Sequence, residues 1–159
     1  MSEINVAVAD DNERILDLLG EMIENNKEMK LVGKANNGED VYTLIKEKQP
    51  DVVLLDVIMP HLDGLGVLER LSSMRLEKRP ICIMLSAVGQ DKITQKAITL
   101  GAQYYVVKPF DIEVLIKRIK ELKTNFNLPV LVGVSRKSFL GNITNRKINE
   151  RGASTLAAE

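Results

Sequence analysis

Five side chains with chemical potential stand at the ends of apolar runs: Asp10 and Asp11 after INVAVA, Asp56 after VVLL, Ser86 after ICIML, and Lys108 after YYVV. Three carboxylates brought to one place repel one another and raise their own pKa values unless a cation sits among them. A hard, oxygen-seeking ion meets that need, and Mg2+ suits a site of few carboxylates, retained water and phosphate oxygens. A hydroxyl and an ammonium at the same edge, Ser86 and Lys108, can hold an anion that the acidic cluster would otherwise repel. Carboxylate nucleophile, metal, hydroxyl and lysine together suit phosphoryl transfer to an aspartate, where positioning and charge neutralisation supply most of the catalysis. Each residue also has a plainer explanation. Asp10, Asp11 and Asn12 can cap a helix; Ser86 can belong to a turn, Lys108 to a solvated surface, and Pro109 to a helix start. Capping does not account for Asp56, and the shared position of all five at strand ends favours the chemical reading.

The elements that must position these residues follow a repeated beat of strand and helix. INVAVAD precedes ERILDLLGEMIENN, whose apolar residues Ile15, Leu18, Leu19, Met22 and Ile23 recur at helical spacing. KLVGKA then precedes EDVYTLIKEKQ, VVLLDV precedes GLGVLERLSSM, ICIMLSA precedes DKITQKAITLG, and YYVVKP precedes DIEVLIKRIKELK. Strands of uninterrupted Val, Ile and Leu are those of a parallel sheet covered by helices on both faces. Five units predict an open doubly wound α/β sheet of order 2-1-3-4-5, since a barrel needs eight. The crevice of such a sheet lies beyond the carboxyl ends of its strands, where the five chemical residues stand.

Composition narrows the remaining possibilities. The 159 residues carry 22 basic and 22 acidic side chains, so no global field points to nucleic acid or to a membrane surface. No signal peptide is evident at MSEINVAVADD, no apolar run is long enough to span a bilayer, and the lone Cys82 inside ICIML reads as a buried, inert thiol. A cytoplasmic location is expected, without disulfides. His61, the one histidine, follows Pro60 in the loop PHLDG and reads as a loop residue or partner contact, because a carboxylate attacks phosphorus without a base. Gly64 and Gly66 read as turn and packing residues. No Gly-rich nucleotide loop is present, so ATP is not the expected phosphodonor.

VADDN at the start, LLDVIMPHLDGLGVL around Asp56, MLSA at Ser86 and VVKPF at Lys108 resemble the receiver domain of two-component response regulators, over about residues 4 to 124. DVIMPHLDGLGVLERL, IMLSAVGQDKITQKAITLGA and YYVVKPFD are similar, more closely, to the receivers of the sporulation master regulators of spore-forming Firmicutes. The resemblance implies a flavodoxin-like (CheY-like) fold and a phosphoacceptor rather than an enzyme, with Asp56 receiving the phosphoryl group. It implies Asp11 as a direct Mg2+ ligand, Asp10 as one acting mostly through water, and the main-chain carbonyl of Ile58 as a further ligand beside Asp56. Ser86 would bond a phosphoryl oxygen and Lys108 would pair with the phosphate, with Lys108-Pro109 cis. Tyr105 would be the aromatic switch that turns inward as Ser86 moves toward the phosphate. The implied partners are a histidine kinase or phosphotransferase donor and, through the receiver face, a second copy of the chain.

After TNFN stands LPVLVGVSRKSFLGNITNRKINERGASTLAAE, too short for the DNA-binding output domain that ordinarily follows such a receiver and patterned as strand, loop and helix. PVLVGVSRKSF and ERGASTLAAE resemble dihydropteroate synthase, a TIM-barrel enzyme, with Ser135, Arg136 and Lys137 on its substrate-contacting motif. One strand-helix unit of a barrel lacks the other strands that hold substrate, so that activity is not expected. The expected organisation is a receiver over residues 1–124 and an appended strand-helix unit over 125–159, an engineered chimera of two α/β folds. The added strand would extend the sheet beside the fifth strand, pair with the exposed edge of another copy by strand exchange, or remain an unstructured appendage.

Overall fold

The computed structural model describes residues 3–74, 76, 78–87 and 91–127. Residues 128–159, all but the first three of the appended unit, with Ser135, Arg136 and Lys137 and the expected added strand, lie outside the described residues. Within them, β1 (Ile4–Ala9), α1 (Glu13–Glu24), β2 (Met29–Ala35), α2 (Gly38–Lys48), β3 (Val52–Asp56), α3 (Gly64–Ser73), β4 (Ile81–Ser86), α4 (Asp91–Thr99), β5 (Tyr104–Val107) and α5 (Ile112–Asn127) alternate as expected. The strands form one sheet in the order β2-β1-β3-β4-β5, all pairs parallel. This is the flavodoxin-like arrangement.

Successive strand residues face opposite sides of a sheet, and a chain apolar at every position therefore feeds two cores. On β3, Val52 and Leu54 pack with Leu16, Leu19 and Ile23 of α1 and Leu115, Ile119 and Leu122 of α5. Val53 and Leu55 face the other way, toward Val41 and Ile45 of α2, Val67, Leu68 and Leu71 of α3, and Ala97 of α4. Cys82 lies in that second core at 3% exposure, and burial pushes its thiol up to about 12. It is the inert thiol its apolar neighbours suggested.

α5 extends beyond the expected end of the receiver, through Thr124, Asn125, Phe126 and Asn127. Nothing in TNFN breaks a helix, and the described helix stops two residues short of Pro129, whose ring disfavours helical geometry in the residue before it. The expected boundary at 124 thus falls inside a continuous helix.

Opposite the carboxyl edge, Asp51 fastens three elements. Its Oδ2 accepts the Asn5 N–H at 2.8 Å, and its Oδ1 lies 2.9 Å from Lys78 Nζ and 3.0 Å from Lys123 Nζ. Burial alone would raise this carboxyl, but the Asn5 amide and the two ammoniums outweigh it and hold the group below its ordinary value. A carboxyl depressed on folding contributes stability above its unfolded pKa and loses it as pH falls through the folded one. Asp51→Asn is therefore expected to flatten the acid limb of stability below about pH 4, measured by urea unfolding at stepped pH. An acid limb unchanged from the parent protein would refute the role.

Candidate phosphoryl-transfer site

Backbone pairing carries each strand-end residue to the same rim. The Asp10 N–H reaches Ala35 O at 3.1 Å, the Val57 N–H reaches Leu85 O at 3.1 Å, and the Lys108 N–H reaches Ser86 O at 2.8 Å. The register sets Asp56 opposite Leu85, one residue before Ser86, and Ser86 opposite Val107, one residue before Lys108. A ligand oxygen from each of Asp10, Asp11 and Asp56 lies within 4.8 Å of the others. Lys108 Nζ closes the group at 2.8 Å from Asp10 Oδ2 and 3.6 Å from Asp56 Oδ1.

The plainer explanations separate cleanly. Asn12 alone caps α1, its side chain accepting the N–H groups of Arg14 and Ile15. Asp10 braces that cap, its Oδ1 accepting the Asn12 N–H at 2.9 Å, while its Oδ2 points to the cluster. Ser86 closes a strand and is buried, so it is no turn residue. Lys108, with a side chain only 21% exposed, is no solvated charge. Pro109 does not start α5, because the Asp111 side chain accepts from the N–H groups of Glu113 and Val114 there; instead the Lys108-Pro109 bond is cis.

The electrostatics of the cluster are those of a cation site. Burial, then the Asp10 charge, push the Asp56 carboxyl up to about 7 against the pull of Lys108, and Asp11 adds to the rise. Asp10 Oδ2 is buried and, beyond its ion pair with Lys108, has no hydrogen-bond partner. An all-oxygen donor set with surplus negative charge and an underused carboxylate oxygen fits a hard divalent ion such as Mg2+.

The other expected residues lie around this centre. Ile58, two residues past Asp56, has an exposed side chain between buried Val57 and Met59. Tyr105 pairs in register with Met84, two residues before Ser86, and its ring is buried in the second core, 6.5 Å from that of Tyr104. His61 is exposed on the β3–α3 loop with φ 68°. Sequence reasoning passed over Asp63, which caps α3 through the Gly66 N–H, and Gly38, which touches the same loop. The motif DGLG carries the signal for Asp63; no local pattern flags Gly38.

The response regulator receiver domain family matches residues 6–120. The pterin binding enzyme family matches residues 107–159, a minority of the chain, and the two matches overlap from Val107 through Lys120. Among solved structures, the signal receiver domain of NarL from Mycobacterium tuberculosis is similar at 27% identity, over 78% of this chain and 98% of that one, with a TM-score of 0.72. The receiver domain of Francisella response regulator 1452 is similar at 28% identity, over 79% and 100%, with a TM-score of 0.68. A chain of the CheX–CheY–BeF3–Mg2+ complex from Borrelia burgdorferi is similar at 26% identity, over 76% and 90%, with a TM-score of 0.67. No described helix is long and apolar enough to cross a membrane. Because the receiver match runs from β1 into α5 and takes in every residue of the cluster, this chain belongs to the response regulator receiver domain family.

Proposed function

We propose that this chain is a phosphoacceptor of a two-component or phosphorelay system, taking a phosphoryl group on Asp56. The observation that carries the reading is the Asp56 carboxyl, buried among Asp10 and Asp11 and facing the Lys108 ammonium. An Asp56 oxygen attacks the phosphorus of a phosphohistidine donor; the new O–P bond forms as the N–P bond breaks, and the leaving imidazole takes up a proton. Asp10, Asp11, Asp56 and the Ile58 carbonyl would hold Mg2+, which supplies charge neutralisation to the phosphoryl oxygens. Ser86 bonds one of those oxygens and Lys108 another, and Tyr105 reports the change through its packing. The donor is a histidine kinase or a phosphotransferase, and a homodimer through the receiver face or by strand exchange is the associated state. The likeness of the Asp56, Ser86 and Lys108 stretches to sporulation regulators supports a place in sporulation control, within the cytoplasm.

The test is uptake from a small acyl phosphate. The 159-residue chain with Mg2+ should gain one phosphoryl group by intact mass, acid-stable and alkali-labile, mapped to Asp56 by peptide analysis. Asp11→Asn should weaken Mg2+ binding and phosphoryl uptake together, since the same ion serves both; unchanged Mg2+ affinity in that variant would remove Asp11 from the ligand set.

A second reading concerns the domain plan. The pterin-binding match over the carboxyl-terminal part of the chain supports a fusion of a receiver to a barrel unit, read as residues 1–124 and 125–159, an engineered chimera of two α/β folds without a selected function, although that match already begins at Val107 within the receiver. Together the two cores draw on every strand and helix from β1 to α5. A chain ending after Asn127 is therefore expected to fold, bind Mg2+ and accept phosphate, with a thermal midpoint close to the full chain's. Failure of the shortened chain to unfold cooperatively would make the appended unit part of the core.

A further inference from the structure

The loop between Asp56 and α3 is packed closely around glycines, two of which, Gly38 and Gly64, face backbone. A Cβ on Gly64 would run into Asp56 O, one on Gly66 into Leu62 Cδ1, and one on Gly38 into Leu62 O and C. The loop closes on itself through Gly64 N–H to Val57 O at 2.8 Å. Its middle is tightly wound: the Leu62 N–H reaches Pro60 O at 2.7 Å around His61, whose φ of 68° is costly for a residue with a side chain. Val57 and Met59 are buried on either side of Ile58. Ile58 and Leu62 thus belong to one short loop closed at Val57 and Gly64.

Gly38 belongs to a different element, the first turn of α2, which has little freedom to yield. Asn37 caps it through the Asp40 N–H, Val41 and Ile45 anchor it in the second core, and Glu39 grips Arg70 of α3 at 3.0 and 3.1 Å. Building on the phosphoacceptor reading, we propose that Gly38 is a positioning residue for the phosphoryl-transfer site: by letting the Leu62 carbonyl lie directly on α2, it holds the β3–α3 loop, and with it the Ile58 carbonyl, in the geometry that Mg2+ requires. A side chain at 38 meets backbone that cannot rotate aside, so the wound loop gives way rather than the capped helix. Gly33 is the natural comparison, because a Cβ there would stand 2.6 Å from Leu44 Cδ1 on the same helix, a flexible side-chain end and not loop backbone.

The test compares the 159-residue chain with Gly38→Ala and Gly33→Ala. In Gly38→Ala the metal-free protein should lose amide-exchange protection at Gly64, and the half-saturating Mg2+ concentration by calorimetry should rise about tenfold, as when an outer-shell support of a metal site is removed. Gly33→Ala should lower the thermal midpoint while leaving both readings at the parent values. Parent-like Mg2+ binding in Gly38→Ala, or an equal loss in Gly33→Ala, overturns the proposal. Should Gly38→Ala fail to fold, Asn37→Ala takes its place: it removes the cap that fixes the first turn of α2 against the Leu62 carbonyl, and parent-like exchange at Gly64 and parent-like Mg2+ binding in it overturn the proposal equally. A parent protein that accepts no phosphoryl group defeats the phosphoacceptor reading instead, and the metal-free exchange data still decide whether Gly38 holds the loop.

Discussion

Asp56→Asn is expected to abolish phosphoryl uptake and, at the same time, to make the metal-free protein more stable at neutral pH. The first effect follows from removing the attacking oxygen. The second follows from linkage. Asp56 is held up to about 7 from 3.8, so between those values the folded state binds a proton that the unfolded chain releases. Stability must then fall as pH rises from about 4 to about 7 and level off above. By 1.36 kcal/mol for each pH unit, the penalty at pH 8 has an upper bound of about 4 kcal/mol. Asparagine carries no charge to bury and escapes it. Urea unfolding at pH 5 and pH 8 in chelator should show the parent losing stability with pH and the variant losing little, and Mg2+ should restore the parent at pH 8. Equal pH slopes in the two proteins would refute the account of the cluster as strained by its own charge.

Lys108→Met is expected to do the opposite. The lysine is the one cation within 4 Å of Asp10 and Asp56 among the described residues, and Asp10 is fully buried. Removing it leaves two buried carboxylates facing each other, and breaking a buried ion pair by deleting one partner costs about 3–5 kcal/mol. Because the Lys108 side chain keeps 21% exposure, the lower end applies. The loss belongs to the metal-free protein, where no other described cation lies within 4 Å of the pair; Mg2+ offsets most of it by replacing the missing cation. Phosphoryl uptake should still fail, since the lysine that meets the phosphate is gone. An equal stability loss with and without Mg2+ would show that Lys108 acts through packing of its stem and not through charge.

The two variants read the same cluster from opposite signs, and together they separate strain from simple destabilisation. Strain predicts one stabilising and one destabilising substitution at neutral pH, both sensitive to Mg2+. Loss of packing predicts two destabilising ones, indifferent to it.

The order of strands and helices, and the meeting of Asp10, Asp11, Asp56 and Lys108, were legible in the linear chain. The reason is geometric: in a parallel doubly wound sheet every strand ends at the same rim, so residues that follow apolar runs are neighbours whatever their separation in sequence. Uninterrupted apolar strands also announced cover on both sheet faces. What the tertiary structure alone decided are contacts that follow no period. Asn12 took the cap and freed Asp10 Oδ2 for the cluster, a choice among three adjacent polar residues that depends on the turn leaving β1. Lys78 and Lys123 lie 27 and 72 residues from the Asp51 they share, and each reads locally as a surface charge. Gly38 lies against Leu62 because the first turn of α2 meets the β3–α3 loop. Hydrophobic burial selects elements from local pattern, but which backbones touch depends on how the packed helices close over the sheet, and only the folded chain contains that information.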